Sequence, residues 1–574
     1  MSLWSEYYAG HIILHQLNDT QTAIEFADSL FSSARRAGFE MLEMAALVLG
    51  SEARLQAAAA TSGQRAQNRY EGLHGILERR AELAAQLNLK SEQGRALFDD
   101  GIVYERQGDL EGAIRRYQQA LDATVSGDNP ELANEIRATA ATAYESQGST
   151  AGAIEMLDDI SGNLAGSADN ESARELADNL FEKGRLLNSG FQYREASIEL
   201  EHALDLQREI TQSRYRGPTG LELAWSLYSL GYTDRAAALI EESLPRTARA
   251  GNGDALFRAY DSMARIKRNN GQFRQMEQYR QQQASLAGSG KRKAKHLLAR
   301  AMDVQSRDGL ASAESQKILQ QAEQAARQAS DSITEHRSVM WACLSRLERN
   351  GSGACSAADV RSSYDKLRNS GIPRFSVESG FIQARILQGS GRSRAALELM
   401  SGLIDEMRFY QSRVPGVLGA WYWENRAAVF SEYLSISVSM SGAGAGQPAD
   451  GRQLLLALER VRRLEDTDNM QLKAQQTAFG QSAELRTSMA RLETISGAEA
   501  EMLAKRVNEQ IEAGLQGDVQ NRQSLDSNAL TSLLEGLGAQ DSILTYYFAE
   551  KFVYLVLGNR KGVRMLRLSG LNQI

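Results

Sequence analysis

Apolar and small residues recur along much of the chain with a period of about 40 residues. Five equivalent positions, spaced by 40, 43, 40 and 40 residues, are Tyr104, Tyr144, Leu187, Leu227 and Lys267. Small residues stand three positions before them, at Gly101, Ala141, Gly184, Ala224 and Ala264. A constant period in helical segments predicts a stack of similar helix pairs. An irregular all-α bundle is the alternative, but a bundle does not require a constant period.

The same frame continues beyond the first helix of each pair. Nine positions after the first set come Ala113, Ala153, Ala196, Ala236 and Met276, and four positions later come Tyr117, Leu157, Leu200, Ile240 and Arg280. Turns between paired helices are predicted at Gly108, Gly148, Gly231 and Gly271, with Phe191 in the glycine position of the remaining repeat. Six matches at fixed offsets make Leu97 to Leu121 the best single copy.

This arrangement resembles the tetratricopeptide repeat. In that family small residues let two antiparallel helices approach closely, and large residues fill the gap to the next pair. The period here exceeds the usual ~34 residues, so the long form found in kinesin-light-chain-type arrays is the closer likeness. The resemblance implies a mainly α protein in which residues 1–410 form a right-handed α-solenoid of about eight to ten helix pairs.

Residues 411–540 are predicted to form a helical connector. Gly416 to Met440 is an aromatic-rich helical segment, and Gln453 to Gln476 is amphipathic. The Gly-rich stretch from Ser441 to Gly451 between them reads as a flexible connection. A charged helix is predicted from Glu484 to Glu512.

The pattern changes again at Ser542 to Leu568, where apolar residues alternate or form short runs. This predicts an antiparallel meander of three strands, with turns at Glu550-Lys551 and at Asn559 to Gly562. A three-strand meander with two apolar faces leaves an exposed hydrophobic edge. We therefore expect residues 541–574 to be the start of an incomplete domain.

The order of these segments resembles the entry into a CHAT domain, over roughly residues 416–568. The resemblance rests on the aromatic helix, the helix containing Leu456 to Leu464, and the meander that follows. CHAT domains have a caspase-like α/β cysteine peptidase fold and are commonly fused behind tetratricopeptide repeats. Their catalytic His and Cys lie downstream of the opening meander, and Gly416 to Ile574 contains neither His nor Cys. We therefore expect no enzymatic activity from this chain, with the downstream peptidase segment missing.

Composition narrows the possible partners. The formal net charge of -7 argues against a nucleic-acid binder, which needs a basic face. No apolar run approaches the roughly 20 residues of a membrane helix, and Met1 to Ala9 lacks the basic-then-apolar order of a signal peptide. We expect a soluble, cytoplasmic protein with no membrane partner, provided that Met1 is the native start. Cys343 and Cys355, twelve residues apart, are predicted to be reduced structural thiols.

Other candidate motifs are incomplete. His11 and His15 have a zinc-compatible spacing but no evident third ligand, so ordinary helix-face histidines are the simpler interpretation. Gly288 to Lys295 departs from the phosphate-loop pattern and is predicted to be a solvated linker with a basic run. The aromatic group from Trp421 to Trp423 suits core packing more than ligand stacking. Cys343 and His336, seven residues apart, are two helical turns apart, too far to form a dyad. No metal or cofactor is predicted.

The tetratricopeptide resemblance implies a concave groove lined by the first helix of each pair. The positions that would line it and bind a protein or peptide partner are Arg95, Phe98, Glu105, Arg106, Glu145, Phe181, Arg185, Asn188, Trp225, Tyr228, Arg258, Asp261, Arg265 and Arg268. Arginines at both ends and aromatics between them suit an extended peptide that carries carboxylates. A charged face that only keeps the array soluble is the simpler alternative.

Two functions remain open on these grounds. One is a partner-sensing arm that regulates a caspase-like CHAT peptidase. The other is a free-standing repeat scaffold without a catalytic partner. The open strand edge expected after Leu568 favours the first.

Overall fold

The computed structural model describes residues 3–473, except 62–63, 128, 166–168, 211–212, 214, 352, 415 and 441–448. After residue 473 it describes 489, 492, 499–500, 502–507, 509–510, 530, 532, 534–537, 540–548 and 553–568. Most of the helix predicted for Glu484 to Glu512 lies outside the described residues. The described part is mainly α-helical, as the sequence predicts.

The elements follow one another along the chain with short connections. The helices are α1 Leu3–His15, α2 Thr20–Ala37, α3 Glu40–Ala59, α4 Gln64–Glu71, α5 His74–Gln86, α6 Lys90–Gln107, α7 Leu110–Ser126, α8 Pro130–Gln147, α9 Thr150–Leu164, α10 Asn170–Ser189, α11 Tyr193–Glu209, α12 Arg216–Ser229, α13 Thr233–Arg249, α14 Gly253–Asn269, α15 Phe273–Ala287, α16 Lys291–Asp308, α17 Ala313–Gln328, α18 Ser332–Asn350, α19 Arg361–Arg368, α20 Pro373–Gly389, α21 Ser393–Arg413, α22 Gly419–Met440 and α23 Arg452–Lys473. The strands are β1 Ala449–Asp450, β2 Ile543–Phe548, β3 Val553–Asn559 and β4 Gly562–Leu568.

The predicted repeat register is confirmed by burial. The small residues of the second helices have 0% exposure at Ala113, Ala153, Ala196 and Ala236, and Met276 has 1%. The larger residues four positions later are buried as well: Tyr117, Leu157, Leu200, Ile240 and Arg280. A Cβ atom on Gly101 would overlap the ring of Tyr117, so glycine is what allows α6 and α7 to approach. The period in the sequence therefore marks the contacts between helices.

The turns between paired helices are also confirmed. Gly108, Gly148, Gly231 and Gly271 have positive φ angles between 70° and 89°, the left-handed conformation that glycine adopts without strain. Phe191 takes the same conformation with φ of 61°, although a bulky residue there is unusual. The equivalent position therefore keeps its backbone geometry when glycine is absent.

The chain divides into two compact units, Met1–Leu186 and Leu187–Ile574. In unit 1, α6 and α7 pack against each other, and α7 packs on α8 through a core that includes Phe98, Tyr117 and Ile136. In unit 2, α12 pairs with α13, α14 with α15 and α16 with α17. The domain boundaries predicted near residues 410 and 540 remain predictions.

Strands β2, β3 and β4 form the antiparallel meander that the sequence predicts. Val556 of β3 pairs with Met565 of β4, and Leu557 pairs with Leu544 of β2. One face of this sheet is covered, because Val556 and Met565 lie in one core with Leu454 and Ala457 of α23.

The sheet contains a further short strand that the sequence reading missed. Its order is β1-β4-β3-β2, and β1 pairs antiparallel with β4 through Ala449 and Asp450. This pairing satisfies part of the β4 edge that was expected to be open. The flexible connection predicted from Ser441 to Gly451 is wrong for these two residues, because a partner strand distant in sequence recruits them.

The prediction of reduced cysteines is wrong in this structure. Cys343 of α18 and Cys355 form a disulfide, with 5.5 Å between their Cα atoms, inside the range that a disulfide requires. Both residues are buried in one core with Leu344 and Val360. The chain reverses direction between them, and twelve residues of spacing alone did not reveal that reversal.

The linker predicted from Gly288 to Lys295 is wrong from Lys291 onward, where α16 begins. Among the described residues, no helix combines the length and apolar character that crossing a membrane requires.

Replacing Ala113 or Ala153 with leucine should force adjacent helices apart and lower the free energy of unfolding by about 1 to 3 kcal/mol. Both alanines have 0% exposure. Thermal or urea unfolding measures the effect, and Ala138→Leu on the exposed side of α8 is the matched control. Equal free energies of unfolding for the Ala113, Ala153 and Ala138 variants would contradict this register.

Candidate functional site

In unit 1, charged side chains of successive first helices pair across one repeat. Arg95 of α6 contacts Glu135 of α8 at 2.8 Å. Arg185 of α10 donates two hydrogen bonds to Glu145 of α8, at 2.8 and 2.7 Å. The partners in both pairs are 40 residues apart, which equals the repeat period between α6 and α8 but is three residues short of the period between α8 and α10. These pairs are partly exposed, with side-chain exposures between 35% and 51%.

The other proposed groove residues of unit 1 lie in different surroundings. Phe98 is buried against the ring of Tyr117, with centroids 5.7 Å apart. Phe181 is buried as well. Arg106 is exposed near the end of α6. The structure therefore places arginines of this set at the surface and both phenylalanines in the interior, and peptide binding by them stays a prediction.

In unit 2, Asn188 and Glu222 form a buried polar contact between first helices. The amide of Asn188 donates to the backbone oxygen of Glu222 at 3.0 Å and to its carboxylate at 3.2 Å. Ser226 donates to the side-chain oxygen of Asn188 at 2.7 Å. Arg258 also pairs with the Glu222 carboxylate. Asn188 is thus held by neighbouring repeats rather than exposed.

Three of the predicted groove residues converge on one carboxylate that the sequence reading did not include. Glu424 of α22 accepts a hydrogen bond from the hydroxyl of Tyr228 through one oxygen. Its other oxygen lies 2.7 Å from Arg265 and 3.7 Å from Arg268. The Glu424 side chain is only 6% exposed, so this is a buried, charge-assisted contact.

Glu424 balances the positive charge of the arginines that surround it. Arg268 also contacts Asp303 at 3.3 Å. Arg280 donates to Asp303 at 2.7 Å and to Asp261 at 2.6 Å. Within this cluster, the three arginines from the repeats face only two aspartates. Arg265 also lies 3.8 Å from Asp261. Glu424 supplies the third negative charge, and without it the cluster would carry one excess positive charge.

The protonation states are those that the contacts require. Burial raises the pKa of Tyr228 well above its ordinary value, against the opposing effect of Arg265, and Glu424 raises it further. Burial would raise the pKa of Asp261, but Arg280 and Arg265 together lower it. Tyr228 therefore remains a hydroxyl donor, and Asp261 remains a carboxylate.

Trp423 docks beside this charged contact. Its ring nitrogen donates to the backbone oxygen of Ser229 at 3.0 Å. The ring lies over Gly231, where an added Cβ would come within 3.1 Å of it. Arg426 covers the ring at 4.6 Å from its centroid. Trp423 and Glu424 thus contact neighbouring parts of the same helix pair.

The aromatic group of α22 divides between two roles. Trp421 and Tyr422 are buried in the core of unit 2, as the core-packing interpretation predicts. Trp225 packs against that core and stands 6.3 Å from the Tyr228 ring. Glu424 was missed because a single acidic residue in an aromatic segment carries no signal of its partner. Its only sequence signal was the surplus of arginines on the predicted groove face.

The remaining candidate motifs lie in ordinary side-chain contacts. His15 lies 3.4 Å from Glu52, and the rings of His11 and His15 are 4.2 Å apart. Among the described residues, no group of three potential metal ligands is present. His336 contacts Ser363 at 3.1 Å, while Cys343 is in the disulfide.

His296 of α16, next to the charged cluster, should make stability depend on pH. Burial, followed by the positive charges of Arg280 and Arg300, lowers the pKa of His296 to about 4. Asp261 opposes the shift, and Gln283 contacts the ring at 3.0 Å. The folded state favours neutral histidine, so this stability is present above the unfolded pKa of 6.5 and is lost as pH falls toward 4.

Between pH 6.5 and pH 5 the loss from His296 should be about 1.5 kcal/mol. His296→Gln, which stays neutral, should lack this component of the pH dependence. Urea unfolding of both proteins at several pH values measures the difference. Parallel pH profiles for the two proteins would show that His296 does not contribute.

Comparisons with known proteins identify no family. No protein-family model matches the chain, and no curated protein matches it. Among solved structures, the apo form of RapI matches with 11% identity and a TM-score of 0.42, covering 64% of this chain and 99% of that one. Yeast Tom70 matches with 10% identity and a TM-score of 0.29, covering 72% and 96%. BtubC (BKLC) from P. vanneervenii matches with 15% identity and a TM-score of 0.30, covering 41% and 92%.

Proposed function

We propose that this chain is a protein-interaction scaffold whose first helices bind an extended, acidic segment of a partner protein. The observation that supports this most directly is that arginine–carboxylate pairs join successive first helices, Arg95 with Glu135 and Arg185 with Glu145. Helical-repeat arrays present the first helices of successive pairs along an extended surface. A peptide that carries carboxylates would meet one arginine at each of these two helix contacts.

The energetics of these pairs allow exchange with a partner. A partly exposed ion pair contributes only about 0.2–1 kcal/mol, since water screens both charges. A peptide carboxylate that replaces Glu135 or Glu145 therefore competes with a weak internal contact. Arginine suits this role because its guanidinium binds a carboxylate through two parallel hydrogen bonds.

Fluorescence anisotropy with labelled peptides tests the proposal. The probe is an extended peptide of alternating glutamate and aromatic residues, and its glutamine counterpart is the control peptide. Replacing both Arg95 and Arg185 by glutamine should weaken binding of the glutamate peptide about tenfold, equivalent to about 1.4 kcal/mol. Arg115→Gln is the control variant, since Arg115 pairs with Glu111 within the second helix α7. Absence of binding by the unmodified chain, or equal binding of both peptides, would refute the proposal.

At a finer level, we propose that the array is a long-form tetratricopeptide arm that regulates a caspase-like CHAT peptidase. The support is the segment order in the sequence, together with the antiparallel meander and its packing on α23. The alternative, a free-standing scaffold, is favoured by the pairing of β1 with β4, which covers part of that strand's edge. A downstream coding sequence with a His and a Cys would favour the peptidase arm.

We propose no catalytic role for the chain itself. A cysteine peptidase needs a thiolate and an imidazole base within hydrogen-bond reach, and Cys343 and Cys355 are joined to each other. Peptide hydrolysis that disappears in Cys343→Ala would overturn this proposal.

We propose the cytoplasm as the location of this chain. The Cys343–Cys355 disulfide opposes it, because disulfides persist mainly in oxidising compartments. Thiol alkylation of the protein in its native cells distinguishes a reducing from an oxidising compartment. Cysteines that resist alkylation because they are joined in a disulfide would count against the cytoplasm.

A further inference from the structure

We propose that Tyr228, Arg265 and Arg268 form a binding site for an acidic side chain that follows an aromatic one in a partner peptide. Trp423 and Glu424 of α22 are its internal occupant. This inference rests on the proposed scaffold function and names one place where an acidic segment binds.

The repeats supply a complete set of donors for one carboxylate. The Tyr228 hydroxyl binds one oxygen of Glu424, and Arg265 approaches the other at 2.7 Å. Tyr228 belongs to α12 and Arg265 to α14, the first helices of successive pairs. Glu424 lies 196 and 159 residues away from them in the chain. The donors are therefore local to the array, whereas the carboxylate comes from outside it.

Charge determines which ligands the site accepts. The cluster around Glu424 contains three arginines of the repeats: Arg265, Arg268 and Arg280. Among the described residues of the repeats, the carboxylates that pair with them in this cluster are those of Asp261 and Asp303. An occupant without a negative charge would leave a surplus arginine in a mostly buried place. A ligand that brings its own carboxylate restores each hydrogen bond that Glu424 makes. The site therefore selects Asp or Glu side chains over neutral ones.

A second contact selects the residue before the acid. Trp423 donates to the backbone oxygen of Ser229 and lies on Gly231. Gly231 has φ of 89° and offers a flat surface that no other residue would leave open. An aromatic residue followed by an acidic one can therefore place its ring on Gly231 and its carboxylate at Tyr228 and Arg265. A tryptophan at the aromatic position can also donate the hydrogen bond to the backbone oxygen of Ser229.

Two glycines in the left-handed backbone conformation stand at the start of α22. Gly416 precedes α22 and Gly419 is its first residue, with positive φ values of 89° and 51°, a conformation that glycine adopts more readily than other residues. Backbone rotation at these two glycines would move the first turns of α22 away from α12, and it would also withdraw the buried Trp421 and Tyr422 from the core of unit 2. A partner segment with the same chemistry would then occupy the vacated subsites.

The test uses the full chain and a labelled peptide with the sequence of residues 419–428, GAWYWENRAA. Glu424→Gln weakens the internal occupant, so this variant should bind the peptide at least about tenfold more tightly than the unmodified chain. Adding Arg265→Gln to the Glu424→Gln variant should remove the gain in peptide affinity. A peptide with Gln in place of its Glu should bind neither the unmodified chain nor the Glu424→Gln variant. Circular dichroism checks that each variant is folded.

Trp423→Ala provides a second variant that keeps every charge paired, and it should also increase peptide binding. If neither Glu424→Gln nor Trp423→Ala gains affinity, or if the Gln peptide binds as well, α22 is a fixed structural contact and the inference is wrong. That result differs from failure of the scaffold proposal, which would appear as absent binding of alternating acidic peptides to the unmodified chain.

Discussion

Glu424→Gln should lower the free energy of unfolding of unit 2 by about 3 to 5 kcal/mol, the usual cost of breaking a buried ion pair by removing one partner. The Glu424 side chain is 6% exposed, and Arg265 is 22% exposed, so water can compensate little for the lost charge. Arg268 loses a second, longer contact of 3.7 Å. Urea unfolding followed by circular dichroism measures the change.

The matched control is Glu398→Gln, which breaks the exposed pair of Glu398 with Arg394 in α21. That change should cost less than about 0.5 kcal/mol, as exposed helix pairs do. A double-mutant cycle with Arg265→Gln isolates the interaction between the two side chains. Similar costs for Glu424→Gln and Glu398→Gln would contradict the buried ion pair.

Reduction of the Cys343–Cys355 disulfide should lower the free energy of unfolding by about 3 kcal/mol. The bond closes a loop with a sequence separation of 12 and so restricts the unfolded chain. Thermal unfolding with and without a reducing agent measures this difference. The melting temperature of the unmodified chain should fall on reduction.

A double variant with Cys343→Ala and Cys355→Ala is the control for the reducing agent. It should melt below the oxidised protein and should show no further change on reduction. If the reducing agent leaves the unmodified protein unchanged while free thiols appear, the disulfide contributes nothing to stability.

The repeat array was largely predictable because its information is local and repeated. Ala113 and Ala153 mark close helix contacts, and Gly108 and Gly148 mark left-handed turns. Each of these requirements concerns residues within one helix pair, so it recurs in the sequence at the repeat period. Phe191 shows that the register is kept by several positions together, since one departure did not shift it.

The candidate site was only half predictable. The groove pattern brought Tyr228, Arg265 and Arg268 together, and it suggested that their ligand would be a carboxylate. It did not identify Glu424, because an acidic residue 159 positions from Arg265 shares no local pattern with it. The arginine excess was visible in the sequence, whereas the group that neutralises it was not.

The amino-acid sequence by itself determined the helix pairs, their register, their turns and the three-strand meander, since side-chain size and backbone conformation act over a few residues. Only the tertiary structure decided the Cys343–Cys355 bond, the pairing of β1 with β4 and the docking of Glu424. Each of these three joins segments that become neighbours only after the chain has turned back on itself. Their energies depend on that proximity and on burial, which no periodicity in the sequence records.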